Sequence, residues 1–300
     1  MRKNQLIKFI LVLFLLFIVF FGSKFSVSHA SVVSKQSQYN TNLNSGLVGW
    51  WTMDGADVVN GVALDKSGNS NNGNLVNIAT TTFYKAGKIG QAFNFDGSND
   101  YVNLSSNTSQ NNPMSVFAWV KVSDLSTMSA TYGGGVIFSF TGATCKAGDY
   151  WLSVNNTGLV RFIYCTSDGD TTSMRYNVSQ NPALTAGKWY FIGGVWNGTN
   201  AKVYVNGIDQ GALSSANPGS WAIGSYIGHI FADATYSFKG SIDDARIYSR
   251  ALSATEVKQL YNLGQVKVNE TLNTNINLNS GLLGYWTMDG KDTVWTSSTA

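Results

Sequence analysis

The chain has 300 residues, 44% of them hydrophobic and 12% charged, which is enough apolar material for a sizeable core. Its formal charge of +3 comes from 20 Lys and Arg against 17 Asp and Glu, yet Arg2, Lys3, Lys8 and Lys24 all fall in the first 30 residues. Without those four, 16 basic residues face 17 acidic ones, a net of −1, and no Lys/Arg cluster remains to track a phosphate backbone, so nucleic acid is excluded as a partner.

The N-terminus reads as a secretory signal peptide, residues 1–30. Arg2, Lys3 and Lys8 precede an unbroken apolar run from Phe9 to Phe21, and Ser28-His29-Ala30 puts small residues where a signal peptidase reads. The run falls short of the roughly 18–20 residues needed to span a bilayer, so membrane contact is expected only if the signal stays uncleaved. The mature chain is therefore expected to be secreted or held at the cell surface. Residues 31–45, rich in Ser, Asn, Gln and Thr, form a flexible leader.

From residue 46 to 264 apolar residues alternate in short runs bounded by Gly, Asn, Asp and Ser. Val116/Ala118/Val120/Val122, Val136/Phe138/Phe140, Val203/Val205 and Ile242 to Tyr248 have the period of two that marks strands. Asp96-Gly97, Asn197-Gly198 and Asn206-Gly207 supply hairpin residues that accept positive φ. Tyr150–Val154 and Leu159–Tyr164 flank Asn155-Asn156-Thr157-Gly158, a further hairpin. Folding about it brings Cys145 within a few residues of the position opposite Cys165, and an exported protein would join them in a disulfide. The alternative is two separate buried thiols. Closing that loop would add about 3 kcal/mol. Two Cys with the one mature histidine, His229, cannot assemble a zinc tetrad.

Helical signal is confined to the end of this region. Ser253-Ala254-Thr255-Glu256 is a capping box opening a short helix through Val257, Leu260 and Tyr261, stopped by Gly264. Many strands and one terminal helix predict an all-β, two-sheet antiparallel jelly-roll sandwich. Residues 265–278 read as a linker. The 14 residues Asn42–Gly55 then return at Asn277–Gly290 with only Val48 (Leu283) and Trp50 (Tyr285) changed. Residues 279–300 are read as the truncated start of a second repeat.

Several segments in this order resemble bacterial LamG-like (laminin G-like) domains. They are Gly46–Asp54, Asp65–Gly73, Ala92–Gly97 with Asp100-Tyr101-Val102, Val116–Lys121, Lys188-Trp189-Tyr190, Val203–Gly207 and Gly240–Tyr248, with Ser249–Ser253 leading into the capped helix. The resemblance covers residues 46–264 and implies the concanavalin A-like lectin/glucanase superfamily. Its members mostly bind carbohydrate or protein, and some are enzymes. It also places the strands carrying Asp54 and Asp243/Asp244 side by side at a sheet edge.

Retaining glucanases of this fold need two carboxylates about 5–5.5 Å apart on one strand face. The chain has two glutamates, Glu256 in the helix cap and Glu270 in the linker, and adjacent Asp243 and Asp244 would point to opposite faces of a regular strand. His229 has no partner motif and reads as structural. The expectation is no enzyme. Calcium suits the carboxylates better: Asp54, Asp243 and Asp244 with backbone carbonyls offer the hard oxygens it takes, and the ion would brace the fold. Without an ion, Asp54 would cap a turn and Asp243 would accept backbone N–H groups.

For ligand, sugar recognition sets an aromatic face against the apolar face of a sugar ring, edged by polar side chains. Alternation turns Phe117, Trp119 and Lys121 outward from their strand. Trp119, Trp151, Arg161, Tyr164, Trp196 and Tyr204 are the candidate ligand-binding residues, the alternative being core or loop cover. The expected function is an extracellular, non-catalytic module that recognises a glycan or an extracellular protein, joined to further repeats in the same chain. A structural spacer or protein-binding adhesin domain without a sugar site is the alternative, and a glycoside hydrolase a third reading.

Overall fold

The computed structural model describes residues 41–78, 83–104, 113–129, 134–140, 149–165, 174–179, 183–214, 225–230 and 236–265. The signal segment, most of the leader, the linker, the second repeat and Cys145 lie outside these. The chain divides into two compact units, Met1–Leu47 and Val48–Ala300. In the first, the described residues make a 3-10 turn at Thr41–Asn44 and begin the first strand.

The second unit is a sandwich of two sheets, as alternation and turn spacing predict. Across the first sheet run Ile208–Ser214 (β15), Asn200–Val205 (β14), Trp189–Trp196 (β13), Met114–Val122 (β8), Lys239–Tyr248 (β17), Gln91–Asp96 (β6) and Tyr84–Ala86 (β5). Leu47–Trp51 (β1) pairs with β17 off this path. Across the second run Met174–Val178 (β12), Val160–Cys165 (β11), Tyr150–Val154 (β10), Gly135–Phe140 (β9), Ser225–Ile227 (β16), Tyr101–Leu104 (β7), Gly73–Val76 (β4), Val62–Ala63 (β3) and Val58–Val59 (β2).

Turn chemistry sets the register. Asn206 and Gly207 take φ of 52° and 76°, the paired positive values of a tight hairpin, and Val205 faces Ile208 across it. At the β10–β11 turn Asn155 Oδ1 accepts hydrogen bonds from the Thr157 and Leu159 amides, and Tyr150 faces Tyr164. The core lies between the sheets. Val116, Ala118, Val120 and Val122 of β8 meet Phe138, Leu152 and Phe162 of the second sheet, all buried.

The first sheet's other face is covered by a helix, Ala254–Leu263 (α1), whose Tyr261 ring lies 5.6 Å from Trp119 and 6.3 Å from Phe191. The predicted capping box is present: the Glu256 amide donates to Ser253 Oγ, and Glu256 Oε2 accepts from the Ser253 amide. Glu256 also pairs with the Arg250 guanidinium at 2.7 Å, and these bonds, Arg250's first, hold its carboxyl down at about 2. A depressed folded pKa stabilises the fold above the unfolded value near 4.5, and that stability is lost as pH falls toward 2. Discounting for partial exposure, Glu256→Gln should cost about 1–2 kcal/mol at pH 7. In denaturant unfolding from pH 7 down to pH 2.5 the difference from the parent should shrink steadily, and a constant difference would assign no role to the charge.

Candidate functional site

Two constellations of polar and aromatic groups lie outside the core. The first surrounds a kink in β17, where pairing with β8 shifts register between Asp243 and Arg246 and Asp244 takes φ 49°. Asp244 and Arg246, two residues apart, share a face, and Arg246 Nη2 reaches Asp244 Oδ1 at 3.0 Å in a buried ion pair. Trp50 Nε1 donates to the same oxygen at 2.6 Å, and the Arg246 guanidinium lies 4.3 Å from the Trp50 ring centre. Asp244 is thereby committed to protein partners.

Asp243 and Asp54 flank the loop Gly87–Gln91. Asp243 Oδ2 accepts from the Lys88 and Ile89 amides at 2.7 and 2.9 Å, and Asp54 Oδ1 accepts from the Gln91 amide. The loop turns tightly: Gly90 has φ 64°, and a Cβ there would stand 2.5 Å from Asp54 Oδ1. Asp243 Oδ1 is buried with no hydrogen-bond partner among the described residues. Burial above all, and the nearby Asp244 and Asp54 charges, push the Asp243 carboxyl up to about 8. A buried, unsatisfied carboxylate oxygen beside a second carboxylate calls for a proton or a cation. The residues fit calcium in part: Asp54 and Asp243 are brought together, whereas Asp244 is withheld by Arg246 and Trp50. No group of three or more His, Cys, Asp or Glu able to hold a metal occurs among the described residues, so backbone carbonyls and water would have to complete an ion's shell.

The second constellation is the outer face of the second sheet. Val102, Leu104 and Ile227 point into the core, so Tyr101, Asn103 and Tyr226 point out. Cross-strand register extends this into one row: Asn74 faces Asn103, Asn103 faces Tyr226, Tyr226 faces Ser139, Ser139 faces Trp151 and Trp151 faces Ile163. Tyr101 and Tyr226 are half-buried with their rings edge-to-face at 5.8 Å, and Asn74 and Asn103 are exposed. Burial raises the Tyr226 hydroxyl pKa, with the neighbouring Tyr101 adding to it, so Tyr226 stays a neutral donor at physiological pH.

His229 backs this row. Its ring stacks on Tyr101 at 5.1 Å, and its carbonyl accepts from Ser139 Oγ at 2.7 Å. Ser237 Oγ gives its proton to the Ser98 carbonyl at 2.7 Å, so in its 2.9 Å contact with His229 the Nδ1 nitrogen is the donor. His229 thus packs behind Tyr101 and is held there by Ser237. At the other end of the row Trp151 Nε1 and, beside it, Ser153 Oγ are buried without a hydrogen-bond partner among the described residues.

The predicted ligand residues divide between the two sheets. Trp151 and Arg161 belong to this outer face, Arg161 half-buried opposite Ser153 and Trp151 only 2% exposed, packed among Val136, Ile163, Ile230 and Tyr236. Tyr164 and Trp196 face the interior and pack on each other at 5.7 Å. Trp119 and Tyr204 do turn outward from the first sheet with Phe117, but α1 and Phe191 close over Trp119, Tyr204 packs on Phe117, and each is at most 2% exposed. The expectation that Phe117 and Trp119 meet solvent is therefore overturned: alternation gives a side chain's direction, and a helix from far along the chain covers that direction. Cys165 ends β11 fully buried, and the pairing expected with Cys145 falls outside the described residues. Sequence reasoning missed Tyr101, Tyr226, Asn103 and Asn74. The alternation of Tyr101/Asn103 with Val102/Leu104 was the available signal.

Among solved structures the chain is similar to domain 4 of a GH43 extracellular arabinanase from Geobacillus stearothermophilus, in complex with arabinotriose. The TM-score is 0.54 at 22% identity, covering 72% of this chain and 98% of that one. It is also similar to the binding domain of Paraclostridial Mosquitocidal Protein 1 (TM-score 0.54, 17% identity, 74% of this chain, 53% of that one) and to the botulinum neurotoxin serotype D binding domain (0.54, 19%, 74% and 52%). The chain thus spans about half the length of those two toxin domains. At these identities the likeness concerns the fold. No curated protein matches. A laminin G-type family model, described as the concanavalin A-like lectin/glucanases superfamily, matches residues 96–258, more than half of the chain. Together with the two-sheet jelly roll, this shows that the chain belongs to the concanavalin A-like lectin/glucanases superfamily.

Proposed function

We propose that the chain is an exported, non-catalytic glycan-binding module whose ligand lies along the outer face of the second sheet. The observation that carries this reading is the row Asn74–Asn103–Tyr226, with Tyr101 beside it. Two half-exposed phenol rings fixed edge to face, one braced by His229, offer apolar surface to a sugar ring, and flanking amides offer donors and acceptors for its hydroxyls. The rings are preorganised, so little entropy is lost on binding. The arabinotriose held by the Geobacillus domain is in keeping with a glycan as the ligand class.

No catalytic role is proposed. Glu256 is spent on the helix cap and on Arg250, and Asp244 on Arg246, so neither is poised as an acid or a nucleophile. Export rests on the signal-like N-terminus. The described residues contain no helix long and apolar enough to cross a membrane. Calcium at Asp54 and Asp243 is proposed as a structural brace, separate from the ligand face.

Screening the purified chain on a glycan array that includes arabino-oligosaccharides tests the reading. Tyr226→Ala or Tyr101→Ala should weaken the best hit about tenfold, the effect of roughly 1.4 kcal/mol. Unchanged melting of the variants would exclude misfolding. Binding that ignores both substitutions would move the site elsewhere, and an array without hits would favour a spacer.

A further inference from the structure

The segment that forms β1 occurs twice in the chain, and the structure says which of its features its place against β17 reads. Trp51 is fully buried, and its Nε1 donates to the Asn71 carbonyl at 3.1 Å. Its ring folds back over Gly49, where a Cβ would stand 2.2 Å from the indole. Thr52 Oγ1 bonds Asp57, and Met53 is buried. In the second copy Gly284, Trp286, Thr287, Met288 and Asp289 stand at the positions of Gly49, Trp51, Thr52, Met53 and Asp54.

The two residues that differ make most of their hydrogen bonds through the main chain, although the Val48 side chain is also buried in the core, where the second copy would bring the larger leucine of Leu283. The Val48 carbonyl accepts from Ser67 Oγ, Asn69 Nδ2 and Asn71 Nδ2 at 3.1, 3.1 and 2.7 Å. The Trp50 amide bonds Asp65 Oδ1 at 2.9 Å, and its carbonyl accepts from the Lys66 amide at 2.8 Å. Any residue supplies these groups. The remaining contacts of Trp50 are an aromatic face under Arg246 and a donor to Asp244, and a tyrosine ring with its hydroxyl carries both kinds of group.

We propose that the place beside β17 accepts either copy, so that Leu282–Asp289 can displace β1 within the same chain. Strand addition of this kind needs main-chain pairing plus pockets for alternate side chains, and the second copy repeats the residue types at Gly49, Trp51 and Met53 that the pockets of β1 take, with one added methylene at Val48. The intramolecular route follows from distance along the chain. α1 ends at Leu263, its cap Gly264 lies against the Trp119 indole, and Trp119 pairs with Asp243 of β17. The 17 residues between Gly264 and Leu282 can extend over roughly 55 Å, so tethering gives the second copy a high effective concentration at the site.

The test is a double-mutant cycle on the full chain, read by melting temperature and light scattering, and it is independent of the ligand face. Trp51→Ala alone should lose only a few degrees, because Trp286 takes the vacated place. Trp286→Ala alone should change nothing. The double variant should lose about 10 °C, the cost of an empty tryptophan pocket in a domain of this size. Trp51→Ala costing the full amount whether or not Trp286 is present would overturn the proposal. So would a rescue that rises with protein concentration and brings dimers, which would assign the replacement strand to a second molecule.

Discussion

Gly193→Ala should lower the melting temperature by roughly 6–12 °C, the equivalent of about 3 kcal/mol for a domain of this size. Gly193 lies in β13 at the centre of the first sheet, directly opposite Phe117 of β8. A Cβ there would stand 2.0 Å from Phe117 Cδ1 and 2.6 Å from the Val116 carbonyl oxygen. The carbonyl is ladder backbone and cannot yield. The Phe117 ring cannot swing away either, because it is stacked on Phe191 at 5.3 Å and bounded by Tyr204 at 6.1 Å. The next residue, Gly194, has the same relation to Phe162 on the inner face, at 2.3 Å. Two consecutive glycines thus let aromatic rings lie flat on both sides of one central strand. A melting curve of Gly193→Ala matching the parent would mean that the aromatic layer under α1 is looser than these distances state.

Calcium should raise the melting temperature of the chelator-treated chain by roughly 5–10 °C, since an ion at a hundred times its dissociation constant adds about 2.7 kcal/mol. The site invoked is the space beside Asp243 Oδ1, buried without a partner and facing the Asp54 charge. In metal-free protein burial favours the neutral, protonated carboxyl of Asp243. The ion would replace that proton, relieve the repulsion between the two carboxylates and tie the Gly87–Gln91 loop to β17. Asp243→Asn should abolish the calcium shift while leaving the metal-free melting temperature within a few degrees. Asp244→Asn, by contrast, should destabilise with or without calcium by stranding the buried Arg246 guanidinium. A calorimetric titration showing no calcium uptake, with identical melting in chelator and in millimolar calcium, would leave the proton as the sole occupant.

Much of the sandwich was legible because its strands alternate cleanly and its hairpins carry Asn-Gly or Asp-Gly. Asn206-Gly207 and the Ser253–Glu256 capping box are local signals, and the structure realises them where they stand. The parity of Tyr164 with Val160 and Phe162 was an equally local sign that it faces inward. What local pattern cannot carry is the third layer. Trp119 points outward from β8, yet its cover, Tyr261 and Gly264, lies some 140 residues further along. The β17 bulge was hidden for a related reason. Asp244 and Arg246 share a face by simple alternation, but only the extra residue of the bulge brings Asp243, opposite Trp119, to the same face as Arg246, opposite Phe117. Tyr101 and Tyr226 escaped notice because their strands are four and three residues long, and the contact between them depends on a strand pairing across more than 120 residues.

Hydrogen exchange with and without the strongest array ligand tests the central claim most directly, since it asks where on the sandwich the glycan rests. Added protection should fall on Tyr101–Leu104 and Ser225–Ile227 and their neighbours in the second sheet, and Tyr101→Ala should erase it. Protection confined to the first sheet, or to the Gly87–Gln91 loop, would contradict the assignment of the ligand face.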